Sequence, residues 1–358
     1  MPLAHKLPDF PWDALAPYGV IARTHPEGAI DLSVGTPVDD TPQFIQDAFA
    51  AHSNAPGYPL TAGTPELRAA ITRYAQETLG ATGEFGVLPL IGSKEFVAWL
   101  PTLLDVKSVN FPAVAYPTYV VGATIAKAAA HPVDIDPSEW PASELTWINS
   151  PANPTGRVHS ESELEAAITW AQSAERVLVS DECYLEFGDS VTPQSIMKFT
   201  GGNNHNILAV HSLSKRSSMA GFRAAFVVGD PELISRLLEV RKHAGMIVPL
   251  PVQHAMIAAL GDSVHVDAQR VRYNNRRATL RPALEAAGFT IEYSDAGLYL
   301  WATRGEDCWD SVQWLAHLGI LATPGSFYGE ASRQHIRIAM TATDSQISAA
   351  AERIRAAL

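Results

Sequence analysis

From about residue 40 to residue 265, short apolar runs alternate with longer amphipathic stretches, and this pattern limits the fold more than anything else in the 358-residue chain. The candidate strands are Phe85–Ile91, Ser108–Phe111, Leu145–Asn149, Val177–Ser180, Ile207–His211 and Ala224–Val228. Helical patterns lie between them, as in Glu161–Ala174 and Pro231–Ala244. Such alternation predicts a largely parallel α/β sheet with helices on both faces. Ligands of such sheets gather beyond the carboxyl ends of the strands. Polar residues just past each run are therefore where chemistry is expected.

After residue 265 the pattern changes. A charged helical stretch, Val266–Ala287, leads to strand-like segments Thr290–Tyr293, Leu298–Thr303 and His335–Met340, and an Ala-rich helix, Asp344–Leu358, follows. This reads as a smaller α+β domain. The expected organisation is an N-terminal segment, 1–39, packing with that small domain, then a large domain over 40–265 and the small domain over 266–358, in line with the chain's length.

Composition mainly excludes. A net charge of −12, from 26 basic and 38 acidic residues, disfavours a nucleic-acid partner. The longest apolar stretches, such as Phe96–Leu104, are too short to span a bilayer, and Met1–Trp12 lacks a signal-peptide pattern. Two cysteines, Cys183 and Cys308, make a disulfide framework implausible and suit a reduced cytoplasm.

Four strings fall at predicted strand ends. In Ser212-Leu-Ser214-Lys215, with Gly221 and Arg223 downstream, two hydroxyls and a guanidinium fork suit a phosphate, and Lys215 supplies a primary amine. Alone, Ser-x-Ser-Lys is usually a solvated loop. Asp181, directly after Val177–Ser180, reads either as a helix cap or as a carboxylate facing a protonated ring nitrogen. Tyr184 follows three residues later. Asn149-Ser-Pro-Ala-Asn153-Pro-Thr-Gly156 is a turn sequence whose Asn153 could also hydrogen-bond a ligand. Gly92-Ser93-Lys94, between a strand and a helix, is either a plain turn or an anion site at a helix N-terminus.

The joint pattern resembles the fold-type I aminotransferases that use pyridoxal 5′-phosphate, over nearly the whole chain. That resemblance implies that Lys215 is the Schiff-base lysine and catalytic base, and Asp181 the partner of the pyridine nitrogen. It gives Asn153 and Tyr184 the cofactor's phenolic oxygen, and Ser93, Lys94, Ser212, Ser214 and Arg223 its phosphate. Tyr116, in Ala-Tyr-Pro-Thr-Tyr, matches the aromatic stacked on the ring, although three residues instead of one separate it from Pro112. Tyr58 looks like the tyrosine that reaches the neighbouring subunit's phosphate, which implies a homodimer. Gly35, in Leu32-Ser-Val-Gly-Thr-Pro, matches a loop at the substrate carboxylate, and Arg337, in His-Ile-Arg-Ile-Ala, matches its clamp.

Three further strings resemble the actinobacterial N-succinyldiaminopimelate aminotransferases: Pro89–Pro101, Ala115–Tyr119 and Ala296–Ala302. The implied reaction is ping-pong transamination with glutamate as donor and 2-oxoglutarate as its product. Lys94, then Arg23, are the candidates to read a distal carboxylate. The rival readings are an aspartate, aromatic or alanine-type aminotransferase, a carbon–sulfur lyase, or the cofactor-binding domain of a transcription regulator.

Overall fold

A computed structural model describes residues 7–8 and 10–358. Its strands are β1 (Ile30–Asp31), β2 (Gly86–Leu90), β3 (Ser108–Pro112), β4 (Ala129–Val133), β5 (Leu145–Asn149), β6 (Val177–Asp181), β7 (Ile207–Ser212), β8 (Ala225–Gly229), β9 (Thr290–Glu292), β10 (Tyr299–Thr303), β11 (Ile320–Leu321), β12 (Thr323–Pro324) and β13 (His335–Ala339). Seven of them form one sheet in the order β2-β8-β7-β6-β5-β3-β4. The central strands β5, β6, β7 and β8 are buried along their whole length, which is why they read as continuous apolar runs. Their side chains alternate between two cores. Leu178, Ile207, Ala209, Phe226 and Val228 pack on one face, and Trp147, Val179, Leu208, Val210 and Val227 on the other. Each fully buried Leu, Ile or Phe there contributes roughly 1.5–3 kcal/mol.

One strand runs backwards. β8 is antiparallel to both β7 and β2, while the β3–β4, β3–β5, β5–β6 and β6–β7 pairs are parallel. The reversal positions the site. Ala225, the first residue of β8, pairs with Leu90 at the end of β2 and with Ser212 at the end of β7. Arg223, which enters a reversed strand, thus lies at the same sheet edge as residues that leave parallel ones.

Strand β4 was absent from the expected set. Its sequence, Ala-Ala-His-Pro-Val, is short of β-branched residues, and at the sheet edge only Val133 is buried. The C-terminal part carries an antiparallel sheet, β12-β13-β10-β9, covered by helices Val264–Ala286, Cys308–His317 and Asp344–Ala356. Thr343 and Gln346 form a reciprocal cap that starts the last helix. β1 pairs with β11, Ile30 against Ile320, which brings the N-terminal part of the chain onto this second unit. No helix among the described residues is long and apolar enough to cross a membrane.

Candidate active site

The carboxyl ends of β2, β5, β6 and β7, the start of β8 and strands β10 and β13 converge on one cavity of about 800 Å³. The end of β2 contributes Ser93 and Lys94. Gly92 enters the helix Ser93–Leu103 with φ +78° and no side chain caps that helix, so its first N–H groups are left for an anion. A Cβ at Gly92 would lie 2.3 Å from a guanidinium nitrogen of Arg223. Only glycine lets that arginine close over the turn. Ser212 and Ser214 line the same cavity from the end of β7, with Ser212 Oγ accepting from Ser214 N at 3.2 Å.

Lys215 follows in the same turn, and its Nζ donates to the backbone carbonyl of Gly35. Burial, with repulsion from Arg337 and Arg223, lowers its pKa to about 8. Asp181 is buried at the end of β6. Its Oδ1 accepts from Cys183 N at 3.2 Å and its Oδ2 from the phenol of Tyr119 at 2.9 Å. Burial raises its pKa, and hydrogen bonds from Cys183 and Tyr119 oppose the rise. Tyr116 also lines the cavity, and burial pushes its pKa up to about 12, so it is a neutral aromatic there.

The second unit closes the other side. Arg337, on β13, is buried, donates from Nη1 to Asn153 Oδ1 at 2.9 Å and from Nη2 to the carbonyl of Ser33 at 2.6 Å. Its guanidinium lies over the rings of Tyr299 and Tyr328, at 4.0 and 5.1 Å. The Tyr184 and Tyr299 hydroxyls are 3.0 Å apart. Among the described residues Arg337 donates to Asn153 and Ser33 and pairs with no carboxylate, and its Nε is buried without a partner. A guanidinium is always charged, and an unpaired buried charge is costly. The arrangement is built for an anion.

Sequence reasoning had assigned to this site every one of these residues except Cys183, Tyr119, Tyr299 and Tyr328. Tyr119 carried a signal, since it lies three residues after Tyr116 at helical spacing, and Tyr299 lay inside the quoted Ala296–Ala302 string. Arg23 is a correction. It ends the helix Ala16–Arg23, is exposed and lies against its own Gly19 instead of the cavity, because that helix packs through Gly19 and Ala22. Phe10 and Trp12 line the mouth instead. Tyr58 also stands outside the cavity, 99% exposed.

The family model for aminotransferase class I and II matches residues 27–354. The chain belongs to that family. It is 53% identical to the 4-dedimethylamino-4-oxo-anhydrotetracycline transaminase OxyQ of Streptomyces rimosus, over 98% of this chain and 99% of the relative. It is 52% identical to a probable aminotransferase of Mycobacterium tuberculosis, over 98% of this chain and 85% of the relative. A probable N-succinyldiaminopimelate aminotransferase from Thermus thermophilus superposes with a TM-score of 0.88 at 26% identity, covering 97% of this chain and all of that one. The chain is thus an aminotransferase dependent on pyridoxal 5′-phosphate. Its residues fit that group: an uncapped helix start under Arg223 for the phosphate, a buried acid, and a lysine with lowered pKa.

Proposed function

We propose that this aminotransferase moves an amino group from glutamate to a keto acid bearing distal carboxylates, the aminated product being N-succinyl-LL-2,6-diaminopimelate. The observation that carries the reading is Arg337, a buried cation without an acidic partner among the described residues. It suits the α-carboxylate that donor and acceptor share. Lys94, exposed beside Phe10 at the mouth, supplies a second cation farther out. The Thermus thermophilus likeness supports the substrate class.

Pyridoxal phosphate, when bound, supplies an aldehyde that captures the amine and a ring that takes up the electron pair released at the substrate Cα. Lys215 would hold the cofactor and, once freed, its Nζ takes the proton from Cα. Asp181 keeps the ring nitrogen protonated. Asn153 and Tyr184 donate to the phenolic oxygen, and Tyr116 covers the ring face. Ser93, Ser212, Ser214 and Arg223 would hold the phosphate, and Gly35 would face the substrate carboxylate. We further infer a cytoplasmic homodimer in which Tyr58 completes the neighbouring site. The Tyr58 loop is anchored, since Gln253 accepts from Thr64 N at 2.8 Å and donates to the Val248 carbonyl at 2.9 Å, yet Tyr58 is exposed and does not line the cavity.

A second reading is favoured by the 53% identity to the tetracycline-intermediate transaminase together with the apolar wall of Phe10, Trp12, Val97 and Val121. On it, the acceptor is a bulky cyclic ketone. One screen separates the two: rapid mixing of the loaded enzyme with single amines, following the visible absorption of the bound cofactor. Glutamate and the succinylated amine should each bleach it. A response to glutamate and a cyclic amine, with none to the succinylated compound, would replace the first reading by the second.

A further inference from the structure

We propose that Tyr119 is a positioning residue that holds the Asp181 carboxylate charged and oriented toward the ring nitrogen of the cofactor. The inference rests on the reading of Asp181 as that nitrogen's partner.

Asp181 faces a conflict. Its place at the buried end of β6 disfavours the charged form, yet only a carboxylate can keep a ring nitrogen protonated. The Cys183 side chain, the Tyr119 hydroxyl at 2.9 Å from Oδ2 and Cys183 N at 3.2 Å from Oδ1 all oppose the burial. The backbone N–H is one that almost any residue at position 183 would supply. The phenol is the side-chain donor that fixes Oδ2.

Tyr119 is built for that bond alone. It is fully buried, its ring packs 5.3 Å from that of Trp147, and its hydroxyl has Asp181 as its one hydrogen-bond partner among the described residues. Burial, reinforced by the Asp181 charge, keeps the phenol protonated far into the alkaline range, so it remains a donor. With a donor on each oxygen the carboxylate cannot swivel, and it still lines the cavity. The placement has a simple origin. Tyr116 stands just ahead of the helix Thr118–Ala126 and Tyr119 lies in its first turn, so one turn of chain carries both the ring-stacking aromatic and the support of the acid, their rings 6.1 Å apart at 90°. Loss of one buried hydrogen bond to a charged group is enough for roughly a tenfold effect.

The test compares two cofactors on the full-length chain stripped of cofactor: pyridoxal phosphate and its 1-deaza analogue, in which C–H replaces the ring nitrogen. Affinities are read by equilibrium quenching of tryptophan fluorescence. The wild type should prefer pyridoxal phosphate, and Asp181→Asn should erase the preference. Tyr119→Phe should lose about tenfold in that preference while its affinity for the deaza analogue is unchanged. Tyr119→Met, also without a donor, carries the same comparison if the Phe variant does not fold. Equal losses for both cofactors would make Tyr119 a packing residue only, and no loss would likewise overturn the proposal. A wild type without preference would instead remove the ring-nitrogen reading of Asp181 and this inference with it.

Discussion

The guanidinium carbon of Arg337 lies 4.0 Å from the ring centroid of Tyr299, whose hydroxyl is 3.0 Å from that of Tyr184. Arg337 on β13 pairs directly with Trp301 on β10, which makes Tyr299 its diagonal neighbour on the same sheet face. One phenol thus braces the Arg337 guanidinium and touches Tyr184. Gly35 permits the fit, because a Cβ there would lie 2.0 Å from the Tyr299 oxygen.

Tyr299→Leu should therefore raise KM for both glutamate and the keto acid by about 10- to 30-fold, as expected for loss of a desolvated cation–π contact of up to ~2 kcal/mol. Tyr299→Phe keeps the ring and should change KM little. Steady-state kinetics on both substrates decides it. Equal damage from the two variants would shift the role from the ring to the hydroxyl.

Arg337→Lys should impair both half-reactions, because donor and acceptor present the same α-carboxylate. Lysine cannot reproduce the planar fork that reaches Asn153 and Ser33. Breaking such a buried contact costs roughly 2–5 kcal/mol, a loss on the order of 10²-fold or more in kcat/KM. Single-turnover rates with each substrate check it. Damage confined to one of them would show that Arg337 reads a distal group.

The large sheet and the residues at its strand ends were legible because the physics is local. Continuous apolar runs mark strands covered on both faces, and a polar residue directly after one must lie at the sheet edge. The direction of β8 was not legible, since Ala-Phe-Val-Val-Gly reads the same either way. That reversal brings Arg223 to Gly92 and Ser212. The partners of Asp181 and Arg337 were not legible either. Tyr119 and Tyr299 look like ordinary core aromatics, and what distinguishes them is a hydroxyl aimed at a partner 62 and 115 positions away in the sequence.

In the cofactor-free protein, Lys215 should make folding stability depend on pH. Its folded pKa, about 8, lies below its ordinary 10.5. Below pH 8 the folded and unfolded chains both carry the proton, and the cost of a buried, repelled ammonium is present in full. Between pH 8 and 10.5 the unfolded chain holds more protons, so stability rises with pH. Lys215→Met should accordingly be more stable than wild type at pH 7, by about 3 kcal/mol, and the gap should close by pH 10.5. Urea unfolding at the two pH values measures it; a gap independent of pH would contradict the lowered pKa.

Tyr58 should act in trans. Mixing Tyr58→Phe with Lys215→Ala subunits should give hybrids with one site free of both changes, and hence recover activity that the Lys215→Ala homodimer lacks. Full activity of a monomer in sedimentation at assay concentration would remove the shared-site reading.

The remaining prediction concerns what the mouth of the cavity reads. Lys94 opens the helix Ser93–Leu103 and is exposed, with its Nζ 5.8 Å from the ring of Phe10. On the proposed function two anions would compete for that charge, the cofactor phosphate and a distal carboxylate of the substrate. An exposed pair contributes little, but a substrate that covers the mouth shields the pair from water and strengthens it. Lys94→Met keeps an unbranched apolar stem and removes the charge. If the distal carboxylate is the partner, KM for the succinylated substrate should rise about tenfold, far more than KM for glutamate, whose side-chain carboxylate lies closer in. The cofactor should then stay bound at its normal affinity. Equal rises for both substrates, with faster cofactor loss on gel filtration, would assign Lys94 to the phosphate alone. An enzyme that never aminates the succinylated keto acid would remove the substrate assignment and leave the transaminase chemistry standing.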